Sequence, residues 1–218
     1  MQLYDYILSG SCYKVRLFLN ILGLDYEKIP VDFYPGRAHR KPDYLALNPL
    51  GQIPLLRDGD VLLRDAQAIL VYLASEYDKG GTWYPNKPAT RGRVAMWLAF
   101  AGGEIMAASA ARLHDLLNYP GDIASLRAAA HAAFLVLDDH LAEQELRGQD
   151  WVAGPDPTVA DIACFPYVAL SNDGGIARDE YPAIERWLVR VMRLPGFVDM
   201  PGILVPWQGE GSLVEGAA

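Results

Sequence analysis

Cysteine is nearly absent. Cys12 and Cys164 are the two in 218 residues, too few for a disulfide framework or a cysteine-based zinc set. That scarcity fits a reducing, cytosolic compartment. Positive charge is also short: 19 Lys and Arg against 27 Asp and Glu leave a net charge of -8, with no basic run. Long-range electrostatics therefore oppose nucleic acid and anionic membrane surfaces as partners. No uninterrupted apolar stretch reads as a bilayer span, and the opening MQLYDYIL has neither the charged start nor the cleavage site of a signal peptide. The expectation is a cytoplasmic protein with no membrane partner and no metal. No repeat or low-complexity tract is visible. What is abundant is apolar: 51% of the chain is hydrophobic, enough for a large core in one or two domains.

The first 80 residues mix strand and helix signals. Leu3 to Leu8 reads as a strand, and Ser9-Gly10-Ser11 as a turn in which Ser11 is a candidate helix cap. Val15, Leu17, Phe18, Ile21 and Leu22 recur at helical spacing, and Gly23 ends that helix. Tyr26 to Val31 alternates as a second strand, completing a βαβ unit. Pro35 to Pro42 is a polar loop carrying Arg37, His39, Arg40 and Lys41. Two short strands then flank Asp58-Gly59, a hairpin signal. Asp65 caps a helix whose face carries Ile69, Leu70, Tyr72 and Leu73.

The pattern changes at Lys79-Gly80-Gly81. Residues 81–88 read as a linker, and 89–218 as entirely helical: Ala89 to Asn118, Ile123 to Leu146, and onward from Thr158. Pro120-Gly121 and Gly154-Pro155 mark breaks. Thr158-Val159-Ala160-Asp161 has capping-box spacing, with Asp161 reaching back. The fold class is thus an α+β domain over 1–80, βαβ then ββα, followed by an all-α domain.

Two segments carry the functional signal. Asn48 to Leu56 places Pro54 inside an apolar run. Proline cannot donate a ladder hydrogen bond, so Ile53-Pro54 belongs at a strand start, an edge or a sharp turn. The backbone of Ile53 is then free to bind something else. Arg64-Asp65-Ala66-Gln67-Ala68-Ile69 starts a helix, with free N–H groups at its end. An open peptide edge beside a helix N-terminus suits a small, extended, anionic peptide.

This order of elements resembles the cytosolic glutathione transferase family over almost the whole chain. NPLGQIPLL resembles the segment that carries that family's cis-proline, DAQAILVYLA its helix start, and TVADI the capping box of its later helices. The resemblance implies a thioredoxin-like first domain, a cis Ile53-Pro54 bond, glutathione as co-substrate and a homodimer. It further implies that Ile53 pairs its backbone with the cysteinyl unit, flanked by Gln52 and Pro54. Asp65, Ala66 and Gln67 would hold the γ-glutamyl end, and His39 and Lys41 would reach the glycyl carboxylate. Position 66 usually carries a hydroxyl in the family, and this chain has Ala66. A hydrogen bond to a charged group is worth about 1.5–3 kcal/mol, so its loss weakens glutathione roughly 10- to 100-fold unless Gln67 or Arg64 compensates.

Three neighbours compete to activate the thiol. Ser9 matches the serine of theta- and zeta-like members. Ser11 is the alternative donor, and Cys12 falls near the cysteine of the beta-like branch. Tyr4 and Tyr6 lie within the first strand. The electrophile, a small hydrophobic molecule, is expected against Trp97, Phe100 and Arg112 of the first long C-terminal helix, with Met96, Met106 and His114 nearby; Trp207 reads as part of a loose Gly-rich tail rather than as a cover. Two other functions remain on the same residues. Ser9-x-x-Cys12 stands where thioredoxin-like reductases carry two cysteines, which admits a glutathione-dependent disulfide reductase. Ala66 admits a non-catalytic binding or interaction protein.

Overall fold

The computed structural model describes residues 1–203; Trp207 lies outside them. The chain opens with β1 (Gln2–Asp5), α1 (Gly10–Ile21) and β2 (Glu27–Pro30). A 3₁₀ turn over Ala38–Arg40 leads into α2 (Pro42–Leu47), then β3 (Leu55–Asp58), β4 (Val61–Arg64) and α3 (Ala66–Tyr77). The sheet order is β2-β1-β3-β4, with β1 parallel to β2 and antiparallel to β3. This is the expected thioredoxin-like arrangement.

Period-two patterning sets the two faces. Leu3 is buried opposite Leu56 of β3 and joins Leu17 and Phe18 of α1 and Ile69, Leu70 and Leu73 of α3 in one core. Tyr4 points the other way and meets Tyr44 of α2 edge-on, ring centroids 6.1 Å apart. Each such buried aliphatic side chain contributes about 1.5–3 kcal/mol. Strand β1 stops at Asp5 rather than Leu8. Arg16 of α1 forms a buried ion pair with Asp5 and donates to the carbonyls of Tyr6, at 3.4 Å, and Ile7, at 3.0 Å. The turn after β1 is therefore held by a helix side chain, a contact invisible to strand periodicity. Helix α2 was not expected from the sequence; Pro42 at its first turn starts it.

The second half is helical: α4 (Pro88–Gly102), α5 (Met106–Leu117), α6 (Ile123–Leu146), α7 (Val159–Ala169) and α8 (Pro182–Met192). The single helix expected over Ala89 to Asn118 is two. Adjacent Gly102 and Gly103 break it, each less favourable than Ala in a helix by about 1 kcal/mol. Pro88–Leu117 is long and apolar enough by composition to cross a bilayer, yet α4 packs on α7 and α5 on α6. Helix α7 is buried on every side and touches α1, α3, α4, α5 and α8. It is the axle on which the two halves meet, and its capping box is formed as expected.

Candidate active site

Where the C-terminal end of β1, the N-termini of α1 and α3, and helix α5 converge, they enclose a cleft of about 310 Å³. Ser9 is the N-cap of α1; its Oγ accepts the Cys12 N–H at 3.2 Å. The cap is thus Ser9, not Ser11. Ser9 keeps its own O–H to give, and both serines line the cleft. Ser11 Oγ lies 2.7 Å from the Tyr167 hydroxyl on α7.

Cys12 turns the opposite way. It is fully buried, and burial, with the charge of Asp5 behind it, pushes its thiol up to about 12. A thiol that is neither ionised nor accessible cannot form a mixed disulfide. Cys12 is therefore withdrawn from the thiol-activating set; it packs as a small apolar side chain.

Ile53-Pro54 is cis. Pro54 is buried and Ile53 half-buried at the cleft wall. Among the described residues no hydrogen bond reaches the Ile53 N–H or carbonyl. The carbonyl of Gln52 is occupied: it accepts from Tyr44 Oη at 2.8 Å and Asn48 Nδ2 at 2.7 Å, which stiffens the segment and leaves the Gln52 side chain at the cleft.

Asp65 caps α3, its Oδ1 accepting the Ala68 N–H at 3.0 Å. It does so at φ 76°, an uncommon conformation for a non-glycine residue, and it is exposed. Such strain, held at a cleft, is a mark of a binding site. One carboxylate oxygen serves the helix and the other is left for a ligand cation. Ala66 and Gln67 follow on the first turn, where the free N–H groups and helix dipole favour an anion. Gln67 is pressed against the second half: a Cβ on Gly102 would sit 2.9 Å from its Nε2.

His39 is buried rather than solvated. Its ring stacks on Phe33 at 4.1 Å, and among the described residues Nδ1 has no hydrogen-bond partner. Burial, then the charges of Arg40 and Arg37, hold it below the ordinary histidine value, so the imidazole is neutral at pH 7. Lys41 does not reach the cleft. It is exposed beside Tyr4 and Tyr44 on the far face of the sheet, because α2 begins at the next residue and turns it away. Arg40 lines the cleft instead, with Nη1 on the Leu50 carbonyl at 3.2 Å.

The expected electrophile residues are only partly there. Arg112 of α5 lines the cleft but is buried and engaged, with Nε on Asp173 at 2.9 Å and Nη1 on the Leu8 carbonyl at 2.5 Å. It clamps the turn that presents Ser9. Trp97 and Phe100 pack against each other at 5.0 Å, and Trp97 also against His140 at 4.6 Å; neither lines the cleft. Their helix meets the cleft only with its last residue, Gly102, and after the break α5 supplies the wall with Met106, Ser109 and Leu113. His114 pairs with Asp115, and Met96 is exposed to solvent. The aromatic wall comes from elsewhere: Tyr6, Phe33 and Tyr119, with Phe33 stacked between His39 and Tyr119, the latter at 5.9 Å. Tyr6 titrates above the ordinary phenol range, first through burial and then through Asp32, so it is neutral. Tyr119 and Tyr167 have no signal in the sequence; only the tertiary fold brings them to Ser9.

A thioredoxin-like sheet, a cis-proline edge and two helix N-termini facing a helical half define a thiol-peptide-binding transferase scaffold. Comparison with known proteins gives the family. The glutathione S-transferase N-terminal domain model matches residues 1–75, and its C-terminal domain model matches residues 123–195. Glutathione S-transferase 3 of Zea mays is 36% identical over 207 residues, covering 90% of this chain and 91% of that protein. Maleylacetoacetate isomerase of Pseudomonas aeruginosa is 33% identical over 188 residues, 85% of this chain and 88% of its own. The crystal structure of a glutathione S-transferase from Pseudomonas fluorescens superposes with a TM-score of 0.83 at 30% identity, covering 92% of this chain and 98% of that one. The chain belongs to the glutathione S-transferase family. It is a glutathione transferase, with glutathione as its co-substrate.

Proposed function

We propose that the cleft binds glutathione extended from Arg40 to Asp65 and ionises its thiol at the N-terminus of α1 with the Ser9 hydroxyl. The observation that carries this reading is the convergence of two helix N-termini, at Ser9 and Asp65, with the unpaired backbone of Ile53 between them. The cysteinyl unit pairs with Ile53 as an added strand. The γ-glutamyl carboxylate lies on the first turn of α3 and the ammonium on Asp65. The glycyl carboxylate is met by neutral His39 and by Arg40, local donors that offset a protein of charge -8.

The energetics suffice. A free thiol titrates near 8.5, and each unit of lowering needs about 1.36 kcal/mol. One hydroxyl hydrogen bond to the thiolate supplies about 1.5–3 kcal/mol, and the helix N-terminus adds about 0.3–1 kcal/mol. The thiolate then attacks a small apolar electrophile held by Tyr6, Phe33, Tyr119, Met106 and Leu113, a wall of aromatic and thioether side chains that suits a tolerant pocket. We also propose a homodimer in the cytosol, both resting on family membership. The disulfide-reductase alternative has no accessible protein thiol in this cleft, since Cys12 and Cys164 are buried.

Ala66 gives the test. Ala66 is buried at the first position of α3. Ala66→Ser is expected to tighten glutathione about 10-fold or more by restoring a hydroxyl to a charged ligand end. Calorimetric titration of both proteins measures it. Unchanged affinity would place the γ-glutamyl end elsewhere, and no binding by either protein in the millimolar range would leave a non-catalytic scaffold.

A further inference from the structure

Lys14 of α1 is fully buried, and among the described residues its Nζ makes no hydrogen bond and no ion pair. The other buried cations are paired: Arg16 with Asp5, Arg112 with Asp173, Arg178 with Glu185. A buried charge without a partner is strongly unfavourable unless something compensates it. What Lys14 does touch is the face of the Tyr167 ring, with Nζ 4.0 Å from the centroid. The Tyr167 hydroxyl in turn meets Ser11 Oγ at 2.7 Å; both residues line the cleft, Ser11 beside Gly10 at the N-terminus of α1 and Tyr167 from α7. Gly10 eases this approach: a Cβ there would lie 3.3 Å from the Tyr167 ring, a tight contact.

Resting on the thiolate reading above, we propose that Lys14 is a positioning residue that acts through Tyr167 and Ser11 as the buried counter-charge of the glutathione thiolate. A cation on the ring face draws electron density from the phenol and favours Tyr167 as the donor in the Tyr167–Ser11 pair. Ser11 then has its own proton free to donate toward the cleft. The thiol proton leaves to solvent; Lys14 keeps its own protons and changes no bond. The sulfur thus meets two hydroxyls, Ser9 from the helix cap and Ser11 backed by Tyr167.

The charged and titratable neighbours are otherwise committed. Cys164 on α7 feels Lys14, but burial pushes its thiol up to about 12, so it is not the missing anion. Asp161, also on α7, is occupied by Thr158, Val152 and Trp187. Cys12 stays protonated, and Arg16 and Arg112 hold their carboxylates.

The test is the thiolate absorbance of bound glutathione titrated against pH in the wild type, Lys14→Met, Tyr167→Phe and the double variant. Methionine keeps most of the volume and removes the buried charge without stranding an ion-pair partner among the described residues. Each single variant is expected to raise the thiol's pKa by about one unit, roughly tenfold less thiolate below that range. The double variant is expected to do no more than either alone, because the groups act as one chain. Wild-type titration from Lys14→Met, or additive shifts in the double variant, would overturn the relay while leaving the Ser9 reading intact. A wild-type protein that does not lower the bound thiol at all would overturn both.

Discussion

Ser9→Gly is expected to raise the pKa of the bound glutathione thiol by one to two units and lower kcat/KM near neutral pH by about 10- to 100-fold, the loss of one charge-assisted hydrogen bond of about 1.5–3 kcal/mol. Glycine is the informative substitution. In the proposed mechanism Ser9 has two tasks: its Oγ caps α1 by accepting the Cys12 N–H, and its hydroxyl, at the cleft wall, donates to the thiolate. Alanine at a cap costs about 1 kcal/mol of stability, glycine only a few tenths. Ser9→Gly therefore removes the thiol donor and nearly spares the helix. The sign with pH is set by the group: a thiol donor lost raises the thiol's pKa, so the deficit is largest at low pH and closes once the pH exceeds the variant's thiol value. A loss of the same size at every pH would assign Ser9 to capping alone. A pH–rate profile of kcat/KM separates the two results.

Asp161→Ala is expected to destabilise the fold by about 3–5 kcal/mol, the range for stripping a partner from a buried polar network. Asp161 is fully buried at the start of α7. It accepts from the Val152 N–H at 3.1 Å, the Thr158 N–H at 2.9 Å and the Trp187 indole N–H at 2.9 Å. Alanine strands these three N–H donors in a buried site, each at a cost of about 1–3 kcal/mol before relaxation. Burial raises this carboxyl's pKa while the four donors around it, led by Thr158 N–H and Trp187, pull it down. Asp161→Asn keeps an acceptor and the volume, so it should lose clearly less than alanine. For a chain of this size 1 kcal/mol moves Tm by about 2–4 °C, so the alanine variant should melt roughly 6–20 °C lower. Equal melting temperatures for wild type and Asp161→Ala would show that the network contributes nothing to α7. Because α7 is the element that both halves share, the loss should also appear as weakened glutathione binding.

The features legible in the sequence were those set by a few adjacent residues. Pro54 inside an apolar run, Asp58-Gly59 between short strands, and Thr158 with Asp161 three residues on each have a local mechanism, and the strand start after Pro54, the hairpin and the capping box are all present; the cis bond is present too, but only the family resemblance implied it. The helix N-terminus at Asp65 was legible for the same reason. What escaped depends on packing. The Arg16–Asp5 ion pair shortens β1, and Gly102-Gly103 splits a helix that its alanine content carries on either side. That split moves the cleft wall from Trp97 and Phe100 to Met106 and Leu113. His39 and Lys41 are two residues apart in a polar loop, yet one is buried with its ring on Phe33 and the other is turned out where α2 begins. Tyr119 and Tyr167 carry no local mark because they serve the site only through helices that meet β1 and α1 in three dimensions.

The central claim is that this cleft binds glutathione and ionises it. Titrating the thiolate absorbance of glutathione bound to the wild-type protein tests it most directly. The account predicts a bound thiol at least one unit below the free value of about 8.5, with the shift reduced in Ser9→Gly. A bound thiol that titrates at or above the free value would contradict it.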